Sequence, residues 1–207
     1  MCYTISLLED RKWLLELIND DRRGQLNYDM KVSARVAEEI IYPITRALDW
    51  FKGEIIMMEG TEKDRVHGVD AIHKNNGFFE GIANRVQYPI KNIKMRSWDT
   101  FTLRKLRKSL AGDNTEVKKM LTGETETKYT IQSYFNERGE VNIGMAKTND
   151  LILFIQSQDK EWLDKHTRPN SYDGNEFFWI PWDNLKNKVN EYREWARKIN
   201  NNQQSLF

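Results

Sequence analysis

The sequence predicts an α/β chain in which a mixed central sheet is flanked by helices, with all 207 residues forming one domain. Three observations predict it. Helical and strand-like apolar periodicities alternate along the chain. With 39% hydrophobic and 12% aromatic residues, the chain can build a core without disulfides, while 30% charged residues solvate the helix exteriors. Turn signals such as Asn75-Asn76-Gly77 separate short apolar runs.

The elements follow in order. A helix is expected from about Leu7 to Ile18, then a charged loop from Asn19 to Tyr28 containing Gly24. A second helix is expected after Ser33, with Val36, Ile40, Ile44, Leu48 and Phe51 at helical spacing. Pro43 should kink or divide it, because proline gives no N–H and its ring crowds the preceding turn. Glu54 to Met58 and Gly68 to Ile72 read as buried strands, and Phe78 to Tyr88 as the returning strand of a hairpin, ended by Pro89.

Phe101 to Ser109 is expected to be a basic helix or a strand entering one, Thr115 to Leu121 a helix, and Gly123 to Thr127 a turn. Tyr129 to Phe135 and Val141 to Ala146 predict a second hairpin. Thr148 or Asn149 should cap a helix running through Ile155. After a loop, Thr167 to Gly174, a late strand from Phe177 to Ile180 should stop at Pro181, with Trp179 and Trp182 packing it against the core. Asp183 is expected to cap a last helix with Leu185, Val189, Tyr192, Ala196 and Ile199 on its apolar face, before a polar tail from Asn200 to Ser205.

Composition narrows the function. Cys2 is the only cysteine, so no intrachain disulfide or cysteine zinc ribbon can form, and a reducing, cytoplasmic location is expected. His67, His73 and His166 lack zinc-site spacing and read as surface or loop residues. No apolar run approaches the roughly 20 residues of a membrane span. The segment Met1 to Asp10 reaches acidic residues before a signal-peptide core, so neither secretion nor a membrane partner is expected. Without a glycine-rich phosphate loop, a Ser-His-Asp order or a nicotinamide fingerprint, P-loop hydrolysis and hydride transfer are unsupported.

The net charge is only +1, from 32 basic and 31 acidic residues, but its distribution is uneven. Lys91, Lys94, Arg96, Arg104, Lys105, Arg107 and Lys108 face a single acid, Asp99. A solvated helix face would mix both signs. This stretch also carries Trp98, Phe101 and the hydroxyls of Ser97, Thr100 and Thr102, which fits a surface that contacts nucleic-acid phosphates.

Asp70 stands in Asp64-Arg65-Val66-His67-Gly68-Val69-Asp70-Ala71-Ile72, ahead of a turn and the strand Gly81-Ile82-Ala83-Asn84-Arg85-Val86-Gln87. This order resembles the PD-(D/E)XK, or restriction-endonuclease-like, nuclease family, in which a helix precedes a hairpin carrying one Asp and then a Glu-x-Lys pair. The resemblance covers about Ser33 to Leu121. It implies a restriction-endonuclease-like fold acting on DNA, expected as duplex, with magnesium or manganese held by Asp70. Glu39, beside Glu38, matches the additional acid that many members carry on the preceding helix.

The chain departs from the family at the pair itself, where Arg85 takes the acid position and Gln87 the lysine position. Asp70, Arg85 and Gln87 are therefore the candidate catalytic set, with Asp70, Glu39 and Glu80 the candidate metal ligands. Glu80 falls on the opposite face of a regular strand, and a bulge at Gly81 would return it. Each residue also has a plain structural role open to it: Asp70 ending a strand, Glu39 on an exposed helix face, Arg85 pairing with a carboxylate. Three functions follow: a metal-dependent endonuclease, a nuclease-fold module that binds DNA or inhibits a protein without cutting, and an assembly protein whose basic segment meets an acidic partner. Cutting both strands would favour a homodimer.

Overall fold

The structure, a computed structural model, describes residues 26–58, 60–87, 99–106, 115–135, 141–169 and 175–194. The expected helix from Leu7 to Ile18 and the polar tail lie outside them.

Val32, Val36, Ile40, Ile41 and Ile44 are all buried, and their spacing holds the first described segment helical. Helix α1, Leu26–Val36, runs into a π-helical turn, Ala37–Ile41, and then α2, Tyr42–Ala47. The helix thus begins earlier than Ser33 and takes in Leu26 to Tyr28, assigned above to a loop. Pro43 does divide it. The Tyr42 N–H reaches back to the Ala37 carbonyl, five residues away, and this wider turn accommodates a ring that an α-helical turn would crowd.

Strand β1, Glu54–Met57, is followed by a helix in a stretch to which the sequence reading assigned no element, α3, Glu62–His67, and Gly68, expected to open a strand, instead ends that helix. Its signals are local. The Thr61 side chain caps it by accepting from the Asp64 N–H at 3.3 Å, the Asp64 carboxylate accepts from the Gly60 N–H at 2.8 Å, and Gly68 ends it at φ 68°. Strand β2, Ala71–Asn75, turns through Asn76 and Gly77, with φ 49° and 82°, into β3, Phe78–Gln87. Positive φ at both central residues is the condition for a tight two-residue hairpin, and the pair is antiparallel from Ala71 opposite Ile82 to Asn75 opposite Phe78.

Strand β4, Thr100–Leu106, replaces the basic helix that was one expectation there, and α4, Glu116–Thr122, follows. Strands β5, Thr127–Phe135, and β6, Val141–Lys147, form the second hairpin. Helix α5, Thr148–Gln156, starts where expected, but no side chain caps it; the Thr148 hydroxyl instead meets those of Thr127 and Thr130 at 3.3 and 3.0 Å. Then come α6, Lys160–Lys165, β7, Thr167–Pro169, β8, Glu176–Pro181, a 3-10 segment, Trp182–Lys188, and β9, Val189–Glu194.

The expected last helix is therefore reduced to a 3-10 segment that carries Leu185, and from Val189 to Glu194 it is a strand. Val189 and Tyr192 share a helical face by spacing, but in β9 they lie three residues apart and face opposite ways. Val189 packs with Leu151 and Trp182, Tyr192 with Ile143 and Val141. An edge strand with one half-buried apolar residue on each face, three positions apart, shows a spacing that periodicity cannot distinguish from a helical stripe.

A mixed sheet runs in the order β1-β2-β3-β5-β6-β9, and a second sheet in the order β4-β8-β7. Among the described strands, only β3 and β5 pair in parallel, with Arg85 opposite Gln132 and Gln87 opposite Tyr134. One face of the large sheet carries Ile82, Ile131 and Ile143 against α1 and α2. The other carries Tyr134 and Ala146 into a second core with Phe101, Leu103, Met120, Leu151 and Trp182. Gly144 is required there, because any Cβ at that position would collide with the Trp182 indole. Trp182 is wholly buried, as expected for a core tryptophan. Among the described residues, no helix is long and apolar enough to cross a membrane.

Candidate functional site

Asp70 lies between α3 and β2, where its backbone is held on both sides. Its N–H donates to the Ile82 carbonyl and its carbonyl accepts from the Met58 N–H, each at 2.9 Å. Extending the hairpin register by one residue sets Asp70 opposite Ala83, so Asp70, Ala83, Arg85 and Gln87 share a face. The Asp70 carboxylate accepts from the Asn84 N–H at 2.5 Å.

That face forms the floor of a cavity of about 260 Å³, roofed by β4 and α4. Arg85, Arg104 and Lys119 supply cations, Asp64, Asp70 and Glu116 carboxylates, and Thr102, Thr130 and Gln132 neutral polar groups. Arg85 donates to Glu116 at 2.6 Å, and the same oxygen accepts from the Arg104 N–H at 3.1 Å. Both guanidiniums lie near the Phe177 ring, at 5.5 and 5.6 Å from its centre. Planar cations resting on an aromatic ring are held in place by it.

Burial pushes the Asp70 carboxyl up to about 7; the Asn84 N–H works against this, the charges on Asp64 and Glu116 add to it, and Arg85 lowers it. Burial, and then the Asp70 charge, raise the Tyr42 hydroxyl above its ordinary range. Among the described residues, the Tyr42 hydroxyl and the Asn84 side-chain oxygen are buried without a hydrogen-bond partner.

The other candidates are dispersed. Gln87 shares the Asp70 face but donates to the Thr102 hydroxyl at 3.0 Å, which in turn donates to the Gln132 side-chain oxygen at 2.9 Å. Glu39 is exposed and pairs with Arg35 at 2.7 Å, away from the cavity lining. Glu80 lies on the opposite face of β3, where the His73 ring stands 3.1 Å from it and Lys128 pairs with it. Burial works against its ionisation, but those two partners hold it below the usual carboxylate range.

An irregularity does occur at Gly81, but the extra residue is Lys128 on β5, between Thr127 opposite Gly81 and Tyr129 opposite Ile82. The register with β2 is unbroken, so Glu80 keeps its face. His73 and His166, read as surface or loop residues, are both buried. Lys52 and Glu80 flank the His73 ring, and Trp162 stacks on His166 at 3.7 Å.

The basic run divides at β4. Arg104 lines the cavity, while neighbouring Lys105, on the other face, meets Glu176 at 3.5 Å and Thr167 at 3.3 Å. Lys91, Lys94, Arg96, Arg107 and Lys108 lie outside the described residues. Sequence reasoning missed Glu116, Asp64 and Lys119. A glutamate after the capping Thr115 looks like an ordinary helix start, and only the pairing of β3 with distant elements brings Arg85 to it.

The divalent metal that the sequence resemblance implies finds a poor fit. Ala83 stands opposite Asp70, Glu116 is taken by Arg85 and Arg104, and among the described residues no three His, Cys, Asp or Glu side chains stand close enough to hold an ion. Set against known protein families, curated proteins and solved structures, the chain matches none of them.

Proposed function

We propose that this chain is a DNA-acting protein with a restriction-endonuclease-like fold that binds DNA through phosphate contacts and does not cut it. A helix ahead of an antiparallel hairpin with an aspartate at its base supports the fold assignment. The observation that carries the function is the pair of guanidiniums, Arg85 from β3 and Arg104 from β4, held on Phe177 at the rim of a polar cavity. Arginine forks suit phosphate oxygens, and each cation that meets a phosphate gains affinity by releasing counterions. The cavity is too small for a duplex, so the rim meets the backbone. Arg85 in place of the family's acid removes a ligand and adds a cation, which favours binding over metal-assisted hydrolysis.

Metal-dependent cleavage by magnesium or manganese is the second reading, which rests on the resemblance at Asp70; Asp64, Asp70 and Glu116 line one cavity without standing close enough together to hold an ion. Incubating supercoiled plasmid with protein and either metal, beside a duplex-binding measurement on the same samples, separates the two. Binding without nicking is expected. Nicking abolished by chelation and by Asp70→Ala would establish the hydrolytic reading, and failure to bind would remove both.

A further inference from the structure

We infer that the tip of the β2–β3 hairpin is a base-stacking platform for single-stranded nucleic acid, which deepens the DNA-acting reading and rests on it. Phe78 and Phe79 are 73% and 64% exposed, the most exposed of the large apolar side chains among the described residues. Adjacent strand residues point to opposite faces, so the two rings stand on either side of one narrow projection. The two-residue turn through Asn76 and Gly77 fixes the backbone beneath them, so the rings are presented at little cost in ordering.

The surroundings select a polyanion with accessible aromatic faces. Lys74 lies opposite Phe79, with its ammonium 6.0 Å from the ring centre. The Lys52 carbonyl lies 2.5 Å from the His73 Nε2, and neighbouring Gly53 packs so closely on the Lys74 carbonyl that a Cβ would collide with it; Lys52 therefore sits beside the same hairpin. Lys128 adds a third exposed ammonium where β5 meets Gly81. Among the described residues, the acids beside them are already matched, Glu54 by Lys74 at 3.6 Å and Glu80 by Lys128, leaving the Lys52 charge in excess.

Aromatic rings interleaved with cations are the means by which proteins hold single strands, since every unpaired base offers a face for stacking. In a duplex those faces are covered. Phe79 also shares the β3 face of Arg85, six residues or roughly 20 Å farther along the strand. Bases stacked at the tip would lead the backbone towards the arginine rim.

The test is fluorescence anisotropy with labelled oligo(dT) and with a labelled duplex, on the parent, Phe78→Ser, Phe79→Ser and the double variant. Both rings are solvent-exposed, so circular dichroism and Tm should stay at parental values. Oligo(dT) affinity should fall about tenfold for each ring removed, duplex affinity should hardly change, and Phe79→Trp should restore single-strand binding. Unchanged oligo(dT) affinity in the folded double variant would overturn the inference while leaving duplex binding through Arg85 and Arg104 standing. It would equally be overturned if the double variant lost binding to phosphatidylglycerol vesicles, or self-association, and kept its affinity for oligo(dT). If the parent bound neither form of DNA, both readings would fall.

Discussion

Replacing Asp70 with Asn should stabilise the protein at neutral pH and remove a large part of the pH dependence of its stability. The Asp70 carboxyl rises from 3.8 to about 7 on folding, chiefly because it is buried. At about 1.4 kcal/mol per pH unit, that displacement amounts to about 4 kcal/mol. The sign follows from which state holds the proton. Below about pH 4 both states are protonated and the contribution of the neutral carboxyl is fully present. Between pH 4 and 7 the unfolded chain releases its proton while the folded protein keeps it, so stability falls as pH rises; above pH 7 both are ionised and the loss is complete. Asn cannot ionise, and its side-chain oxygen can still accept from the Asn84 N–H. Urea unfolding should place Asp70→Asn above the parent by about 4 kcal/mol at pH 8, or roughly 10 °C in Tm, shrinking to about 2 kcal/mol at pH 5. Parallel stability curves for the two proteins would refute the buried-carboxyl argument.

The same proton sets the charge of the cavity, so duplex affinity should rise from pH 8 to pH 6 in the parent and stay flatter in Asp70→Asn, as titration of binding across that range would reveal. Gly144→Ala should destabilise the fold by about 1–3 kcal/mol, because its methyl group must displace the buried Trp182 indole; thermal melts check this, and a parental Tm would mean that the core there is loose. Neutralising Arg104, Lys105, Arg107 and Lys108 together should weaken duplex binding and flatten its salt dependence. With Lys105 facing Glu176, Arg104→Gln alone should account for more of the change than Lys105→Gln.

Much of the sheet could be read locally, and the failures have physical reasons. Asn76 and Gly77 supply the two positive-φ residues of a tight turn, so the β2–β3 hairpin and the position of Asp70 at its base followed from a few adjacent residues. Pro43 marked the division of its helix for the same kind of reason. Helix α3 was also legible, from Thr61, Asp64 and Gly68, but its six residues are too short to show a periodicity. The parallel pairing of β3 with β5 was not legible, because no local pattern specifies which distant strand will lie alongside. That pairing sets Gln132 beside Arg85, and β4 and α4 close the cavity in which Glu116 meets Arg85. Asp70, Arg85 and Gln87, grouped by the sequence as one candidate set, lie on one face of the sheet. That set was incomplete about everything supplied by the roof.

On the proposed function, Arg85 and Arg104 hold DNA by contacting its phosphates. The most direct measurement is the salt dependence of duplex binding, taken as the slope of log K against log salt concentration for the parent and for the Arg85→Gln/Arg104→Gln double variant. Each lost phosphate contact should reduce the slope by about 0.9. The account predicts that the double variant, still folded, binds more weakly with a slope about 2 smaller in magnitude. A slope and affinity equal to the parent's would contradict it.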